Sequence, residues 1–262
     1  MKLEIFQIDA FTDNIFGGNP ACVVPLKSWL SDDILLNITK ENAVAETAFI
    51  VQKKDKFHLR WFTPDIEMDL CGHATLAAAH YIYTILNYEK EKIIFETISG
   101  NLIVKAVKDG YSLDLPLWNP TQSNLPKIIE DALNIQPVEV LKSRDYLLVY
   151  ETQKDIEDIE INRAIFDKIN LNTGGVIVTS KATNYDFVSR FFTPQATILE
   201  DPVTGSAHCS LTPFWSKKLN KKKLHALQLS NRKGYLKCIN HGKRIEIIGS
   251  AKTYLKGEIF IF

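Results

Sequence analysis

Residues 2–11 alternate polar and apolar positions and predict a strand; the turn Gly17-Gly18-Asn19-Pro20 then leads into the apolar strand "ACVVPL". Ser31 followed by Asp32 and Asp33 is a helix start, with Ile34, Leu35 and Ile38 on the inward face. Strands are expected at 45–51 and 56–62, and the apolar stretch 73–86 predicts a helix enclosed on most sides by other elements. Further strands follow at 92–98, 101–107 and 110–115. Pro116, Pro120 and Pro126 then punctuate a stretch suited to a linker. Beyond it the pattern predicts a short helix, strands near 138–141 and 145–150, and a helix near 160–168. Strands at 175–179 and 185–192 lead to a second apolar helix, and strands near 226–230, 243–249 and 256–262 finish the chain.

This order of elements contains a repetition. Arg60-Trp61-Phe62-Thr63-Pro64 is answered by Arg190-Phe191-Phe192-Thr193-Pro194, and each copy runs on to a glycine, small residues and an apolar helix. The pattern predicts an α+β fold of two pseudo-symmetric lobes, each mostly strands around one buried helix. The proline-punctuated stretch is expected to divide the chain near residues 117 and 118.

Composition narrows the function classes. Lys plus Arg and Asp plus Glu both number 31, so no basic stripe suggests nucleic-acid binding. The densest basic patch, Lys217, Lys218 and Lys221–Lys223, lacks interleaved aromatics and reads as a solvated helix end. The N-terminus has no signal-peptide pattern, and the run Ala74–Leu86 is too short to span a bilayer. Cys22, Cys71, Cys209 and Cys238 are too dispersed for metal-type spacing, so reduced thiols in a soluble, cytoplasmic protein are expected. Gly174-Gly175 is followed by no Lys-Ser/Thr pair, and the chain has no G-x-G-x-x-G, so a tight turn rather than a nucleotide loop is expected. Neither metal nor cofactor is expected.

The chemistry should lie where the two copies differ. Gly72 and Ala74 in one copy, and Gly205, Ser206 and Ala207 in the other, let a ligand approach unpartnered N–H groups at a helix start. Such an end suits a carboxylate or a developing enolate, and two facing copies would form one cleft between the lobes. The first copy adds Cys71 and His73, the second Glu200, Asp201, Thr204, Ser206 and His208. Carboxylate, imidazole and hydroxyl groups at two helix starts are what proton transfer beside a carbonyl-type anion requires. Architecture alone would also account for small residues there, and turn chemistry for Asp201 before Pro202.

The segments "DAFTDNIFGGNPACVV", "ENAVAETAFI", "RWFTPDIEMDLCGHATLAAA" and "EDPVTGSAHCSL" resemble, in order and spacing, the phenazine-biosynthesis-like (PhzF-like) family. The resemblance implies a diaminopimelate epimerase-like fold, α+β with each lobe a curved, mostly antiparallel sheet or barrel around a central helix, the lobes being residues 1–117, joined by the final strand at about 256–262, and residues 118–255. It also implies a homodimer, and cofactor-free isomerisation in which a Glu moves a proton within a dihydro-hydroxyanthranilate ring. It places the catalytic Glu on Glu46 and the accompanying His, Asp and Ser on His73, Asp201 and Ser206. Asn19, Gly72, Ala74, Thr204, Gly205 and Ala207 are expected to bind a small carboxylate-bearing substrate. Nothing else singles out Glu46 among 31 acidic residues, although Ala45, Thr47, Ala48 and Phe49 make a partly buried setting in which a carboxyl suits acid–base work. Related epimerases and racemases use two cysteines. Cys71 holds the first such place, but Thr204 holds the second, and a hydroxyl is far too weak an acid to replace a thiol. An amino-acid racemase using Cys71 with another partner, and a non-catalytic binding protein, are the competing readings.

Overall fold

The computed structural model describes residues 1–261. The first unit comprises Met1–Asp114 together with the chain from Ile247 onward, and the second is Leu115–Glu246. The sequence reading puts the boundary at 117/118 and the return at about 256. The return begins earlier because one long strand pairs with the N-terminal strand from Ala10↔Ala251 to Lys2↔Phe260. Position 262 of the expected last strand lies outside the described residues.

The first unit contains β1 (Lys2–Ala10), β2 (Asn19–Leu26), α1 (Asp32–Asn42), β3 (Glu46–Lys53), β4 (Lys56–Phe62), β5 (Glu67–Met68), α2 (Gly72–Thr84), β6 (Lys92–Thr97) and β7 (Gly100–Val107). β8 (Gly110–Pro116) carries the chain onward. In the second are β9 (Thr121–Gln122), α3 (Lys127–Ala132), β10 (Glu139–Lys142), β11 (Tyr146–Val149), α4 (Gln153–Asp158), α5 (Arg163–Phe166), β12 (Val176–Lys181) and β13 (Phe187–Phe192). It continues through α6 (His208–Leu219), β14 (Lys223–Gln228) and β15 (Gly234–Asn240); β16 (Arg244–Gly249) and β17 (Ala251–Phe260) complete the chain.

The pairings repeat. β1 is antiparallel to β2, β2 parallel to β3, β3 antiparallel to β4, β4 parallel to β6 and β6 antiparallel to β7. β10, β11, β12, β13, β14 and β15 follow the same sequence of antiparallel and parallel pairings. In each unit the long buried helix occupies the second parallel crossover, α2 between β4 and β6 and α6 between β13 and β14. α2 is buried at every position from Gly72 to Ala79 and packs on β1, β2, β3, β7 and β17. Its composition of alanines with Leu76, Tyr81 and Ile82 fits that enclosure.

The repeated Arg-x-x-Thr-Pro segment is a clamp. Arg60 donates Nε and Nη2 to the two carboxylate oxygens of Glu67, both at 2.7 Å, and lies over the Phe62 ring at 5.0 Å. Arg190 does the same to Glu200, at 2.7 and 2.9 Å, and lies over Phe192 at 5.0 Å. In each copy the threonine N–H closes the loop at 2.9 Å, from Thr63 to Ile66 O and from Thr193 to Leu199 O. The second copy's additional three residues fall between Pro194 and Glu200; from Glu to Gly the spacing is equal in both. A forked, half-buried guanidinium–carboxylate pair fixes both position and angle of the strand-to-helix loop.

The helix starts differ from the expected symmetry. α2 begins at Gly72, whereas α6 begins only at His208. Bonds from His208 N, Cys209 N and Ser210 N to Gly205 O, Ser206 O and Ala207 O, at 3.0–3.1 Å, draw residues 205–207 into a tighter turn before the helix. α6 tolerates Pro213 because the carbonyl it cannot serve, that of Cys209, accepts the Trp118 N–H at 3.0 Å. The expected helix near 160–168 is the shorter α5, preceded by α4 with its Thr152–Asp155 capping box, which the apolar pattern did not mark. β15 was likewise not expected, and β14 starts earlier than the predicted 226–230. No helix among the described residues is long and apolar enough to cross a membrane.

Candidate active site

Three elements of the first unit bring three predicted groups together, with Cys71 beside them. Gly18 adopts φ +60, and a Cβ there would lie 2.0 Å from Ala10 O, so only glycine lets the chain double back into β2 at this point. Asn19 therefore begins β2 with its side chain fully buried. Glu46 begins β3 in parallel register with Ala21, and His73 is the second residue of α2. His73 Nε2 lies 2.9 Å from Glu46 Oε2, with the two side chains 2% and 11% exposed. On the other side of the ring, Nδ1 is 3.1 Å from Asn19 Nδ2 and 3.5 Å from Cys71 Sγ.

This arrangement sets the proton positions. In the neutral ring with the Asn19 amide donating, Nδ1 is bare and the proton is on Nε2, the nitrogen 2.9 Å from Glu46 Oε2. When the ring takes a second proton, the Cys71 sulfur is a ready acceptor at Nδ1. Burial alone would favour the neutral ring, but the hydrogen bond to the Cys71 sulfur and the charge of the Glu46 carboxylate hold the His73 pKa above its ordinary value. Burial, with the Glu46 charge adding to it, pushes the Cys71 thiol up to about 11, so it is protonated at neutral pH. Atoms of Glu46, Cys71 and His73 lie within 4.8 Å of one another, a span that a cation could bridge. The ring, however, turns one nitrogen to the sulfur and the other to the carboxylate.

The second unit holds the other predicted residues. Thr204 Oγ1 donates to Asp201 Oδ2 at 2.5 Å, so this hydroxyl is committed to the carboxylate. Its carbonyl accepts His208 Nδ1 at 2.9 Å, as the Cys71 carbonyl accepts Thr75 Oγ1 at 2.5 Å four residues along in the first copy. Ser206 is 8% exposed and lies with Gly205 and Ala207 in the turn before α6. Gly72 and Ala74 sit in the first turn of α2. The structure thus brings together Glu46, His73 and Asn19, and separately Asp201 and Thr204. Sequence reasoning missed the contact of Cys71 with His73, and it missed Gln228, whose side chain binds both Asp201 and Thr204. The available signal was a lone amide between Leu227 and Leu229 in an apolar strand.

A profile described as phenazine biosynthesis-like protein matches residues 8–257. The chain belongs to the phenazine biosynthesis-like family. An uncharacterized isomerase of Pseudomonas aeruginosa is 44% identical over 261 residues, covering 100% of both chains. A crystal structure of a PhzF family protein from Enterococcus faecalis is 39% identical, with a TM-score of 0.93 and full coverage of both chains. A hydroxyproline epimerase from Agrobacterium vitis shares the fold at 8% identity, with a TM-score of 0.65 over 98% of this chain and 92% of its own. The α+β, diaminopimelate epimerase-like fold and the isomerase class are thereby shown for this member of the family.

Proposed function

We propose that this isomerase moves a proton within a small carboxylate-bearing substrate, with Glu46 as the general acid and base. The observation that carries the reading is the 2.9 Å pair of Glu46 Oε2 and His73 Nε2, nearly removed from solvent. A carboxylate held there can accept a proton from carbon and return it to another carbon before solvent exchange. The imidazole beside it shares the carboxylate's charge as the proton comes and goes. Substrate contacts are proposed for the N–H groups near Gly72 and Ala74, and for Gly205, Ser206 and Ala207. Asp201 is proposed to orient a polar group of the substrate. Metal and organic cofactor have no part in this scheme.

Two-thiol racemisation fits less well. The counterpart of Cys71 is Thr204, whose hydroxyl is already donated to Asp201, and burial pushes the fully enclosed Cys209 thiol far above its ordinary range. The test is turnover of a dihydro-hydroxyanthranilate in deuterated water, followed by NMR. Wild type should give isomerised product with deuterium at the newly protonated carbon, incompletely where the shuttled proton returns directly. Glu46→Gln keeps the shape but cannot take the proton, and should lower turnover at least about a hundredfold with affinity nearly intact. Near-normal turnover by Glu46→Gln would remove Glu46 from the mechanism.

A further inference from the structure

Gln228 ends β14 as a fully buried amide. Its Oε1 accepts the Thr204 N–H at 2.8 Å, while its Nε2 donates to Asp201 O at 2.8 Å and to Thr204 Oγ1 at 3.2 Å. Because one contact is a backbone N–H and another a backbone carbonyl, the amide has a single workable orientation. The Thr204 hydroxyl, receiving that N–H, has its own proton left for Asp201 Oδ2 at 2.5 Å. Asp201 is held further by its N–H on Phe191 O at 3.0 Å, and Val203 packs so closely on Gly234 that a Cβ there would meet Val203 Cγ2 at 2.1 Å.

The first copy lacks this device. β4 pairs with β6 through His58↔Glu96, and β13 with β14 through Val188↔Leu227, so Thr97 is the counterpart of Gln228. Thr97 is half-buried and its hydroxyl closes its own hairpin on Gly100 O at 2.8 Å. The counterpart of Asp201, by the shared Glu-to-Gly spacing, is Met68. The amide clamp therefore occurs in the copy that carries the carboxylate. We infer that Gln228 is a positioning residue whose side-chain amide fixes Thr204, so that the Thr204 hydroxyl holds the Asp201 carboxylate in one orientation. Its bearing on catalysis rests on the proposal that Asp201 contacts substrate.

The test uses the full chain and three variants. Gln228→Met keeps length and volume without hydrogen bonds; Gln228→Glu keeps the acceptor for Thr204 N–H; Thr204→Val keeps that N–H but removes the hydroxyl. Amide exchange at residue 204 should quicken about tenfold or more in Gln228→Met and stay near wild type in Gln228→Glu, as loss of one buried bond implies. Val178, in the core of the same unit, should be unchanged. The carbon-13 carboxyl signal of Asp201 should move in both Gln228→Met and Thr204→Val. Unchanged protection at 204, or a parallel rise at Val178, would reduce Gln228 to a packing residue and overturn the inference. If Gln228→Met does not fold, an unmoved Asp201 signal in Thr204→Val does the same. With the dihydro-hydroxyanthranilate, Gln228→Met should lower kcat about tenfold with KM nearly unchanged, and add little to Asp201→Asn. Full turnover by Asp201→Asn would defeat the role of Asp201 in the reaction, while the exchange and carboxyl signals still decide what Gln228 does.

Discussion

His208 is the first residue of α6 and is fully buried. Its Nδ1–H donates to Thr204 O at 2.9 Å, and its ring lies 5.9 Å from that of Phe187. Burial depresses its pKa to about 4, only partly offset by the Thr204 carbonyl. The positive end of the helix acts in the same direction as burial. In the unfolded chain the ring titrates near its ordinary value, about 6.5. The folded pKa is the lower one, so the stability associated with the neutral ring is complete above about pH 6.5. It drains away as pH falls toward 4, because the unfolded chain takes the proton first. At pH 5 the loss amounts to about 2 kcal/mol, and below pH 4 it approaches about 3 kcal/mol. The assay is urea unfolding at pH 7 and pH 5, followed by the fluorescence of Trp215, which stacks on Phe187 with ring centroids 5.7 Å apart. His208→Asn keeps a side-chain donor for Thr204 O but has no proton to gain. It should be less stable at pH 7 and should lose about 2 kcal/mol less than wild type between the two pH values. Equal losses in both proteins, or an imidazole signal for His208 titrating near 6.5, would refute the reasoning.

His73 should behave in the opposite sense. Its folded pKa is raised, so the stability it contributes is complete below about 6.5 and is lost as pH rises through the folded value; its NMR titration should fall above the ordinary imidazole range. His80, held by Tyr111 and Thr253 and pushed down to about 4 by burial and by Lys252, should remain neutral at pH 5.5 in the same experiment. Arg190→Lys should cost about 2 kcal/mol in urea unfolding, because it loses the fork to Glu200 and the bonds to Ile156 O and Ile159 O that a single ammonium cannot replace. Cys71, with its thiol raised to about 11, should resist iodoacetamide at pH 7.5 by mass spectrometry. Rapid labelling would show a thiolate where the geometry predicts a thiol.

Much of the frame is legible in the chain because it rests on local signals. Alternation over residues 2–11 marked β1, and the apolarity of residues 73–86 on most sides marked α2 as enclosed. The Arg-aromatic-Thr-Pro repeat disclosed the duplication before any coordinate did. What stayed hidden depends on partners far apart in sequence. Apart from the family resemblance, Asn19 reads as a turn residue until β2 and α2 bring its amide 3.1 Å from His73 Nδ1, and Glu46 is one carboxylate among many until it is seen 2.9 Å from His73 Nε2. α4 was missed because a six-residue helix with one buried position, Ile156, has almost no periodicity to detect. β15 was missed because its buried positions, Gly234, Leu236 and Cys238, include a glycine chosen for its closeness to Val203 rather than for strand propensity.

Set side by side, the two copies separate what the fold needs from what the chemistry needs. Positions that are the same serve architecture: Arg60 and Arg190 on Glu67 and Glu200, Phe62 and Phe192 beneath the guanidinium groups, and the threonine N–H bonds that close each loop. Even the bond back to the carbonyl of residue 71 or 204 survives, although Thr75 makes it in one copy and His208 in the other. Positions that differ carry polar groups placed at no benefit to packing: Cys71 against Thr204, His73 against Ser206, Met68 against Asp201, Thr97 against Gln228. An ancestral frame kept only for stability would have no reason to bury an imidazole against a carboxylate in one copy and a clamped Asp–Thr pair in the other. Buried polar groups of this kind are costly unless fully partnered, and breaking such a pair typically costs about 3–5 kcal/mol. In the first copy the differing polar group is His73, 2.9 Å from Glu46; in the second they are Asp201, Thr204 and Gln228, bonded to one another. These are the positions at which substitution should separate rate from stability, whereas changes at Arg60 or Arg190 should act on stability first.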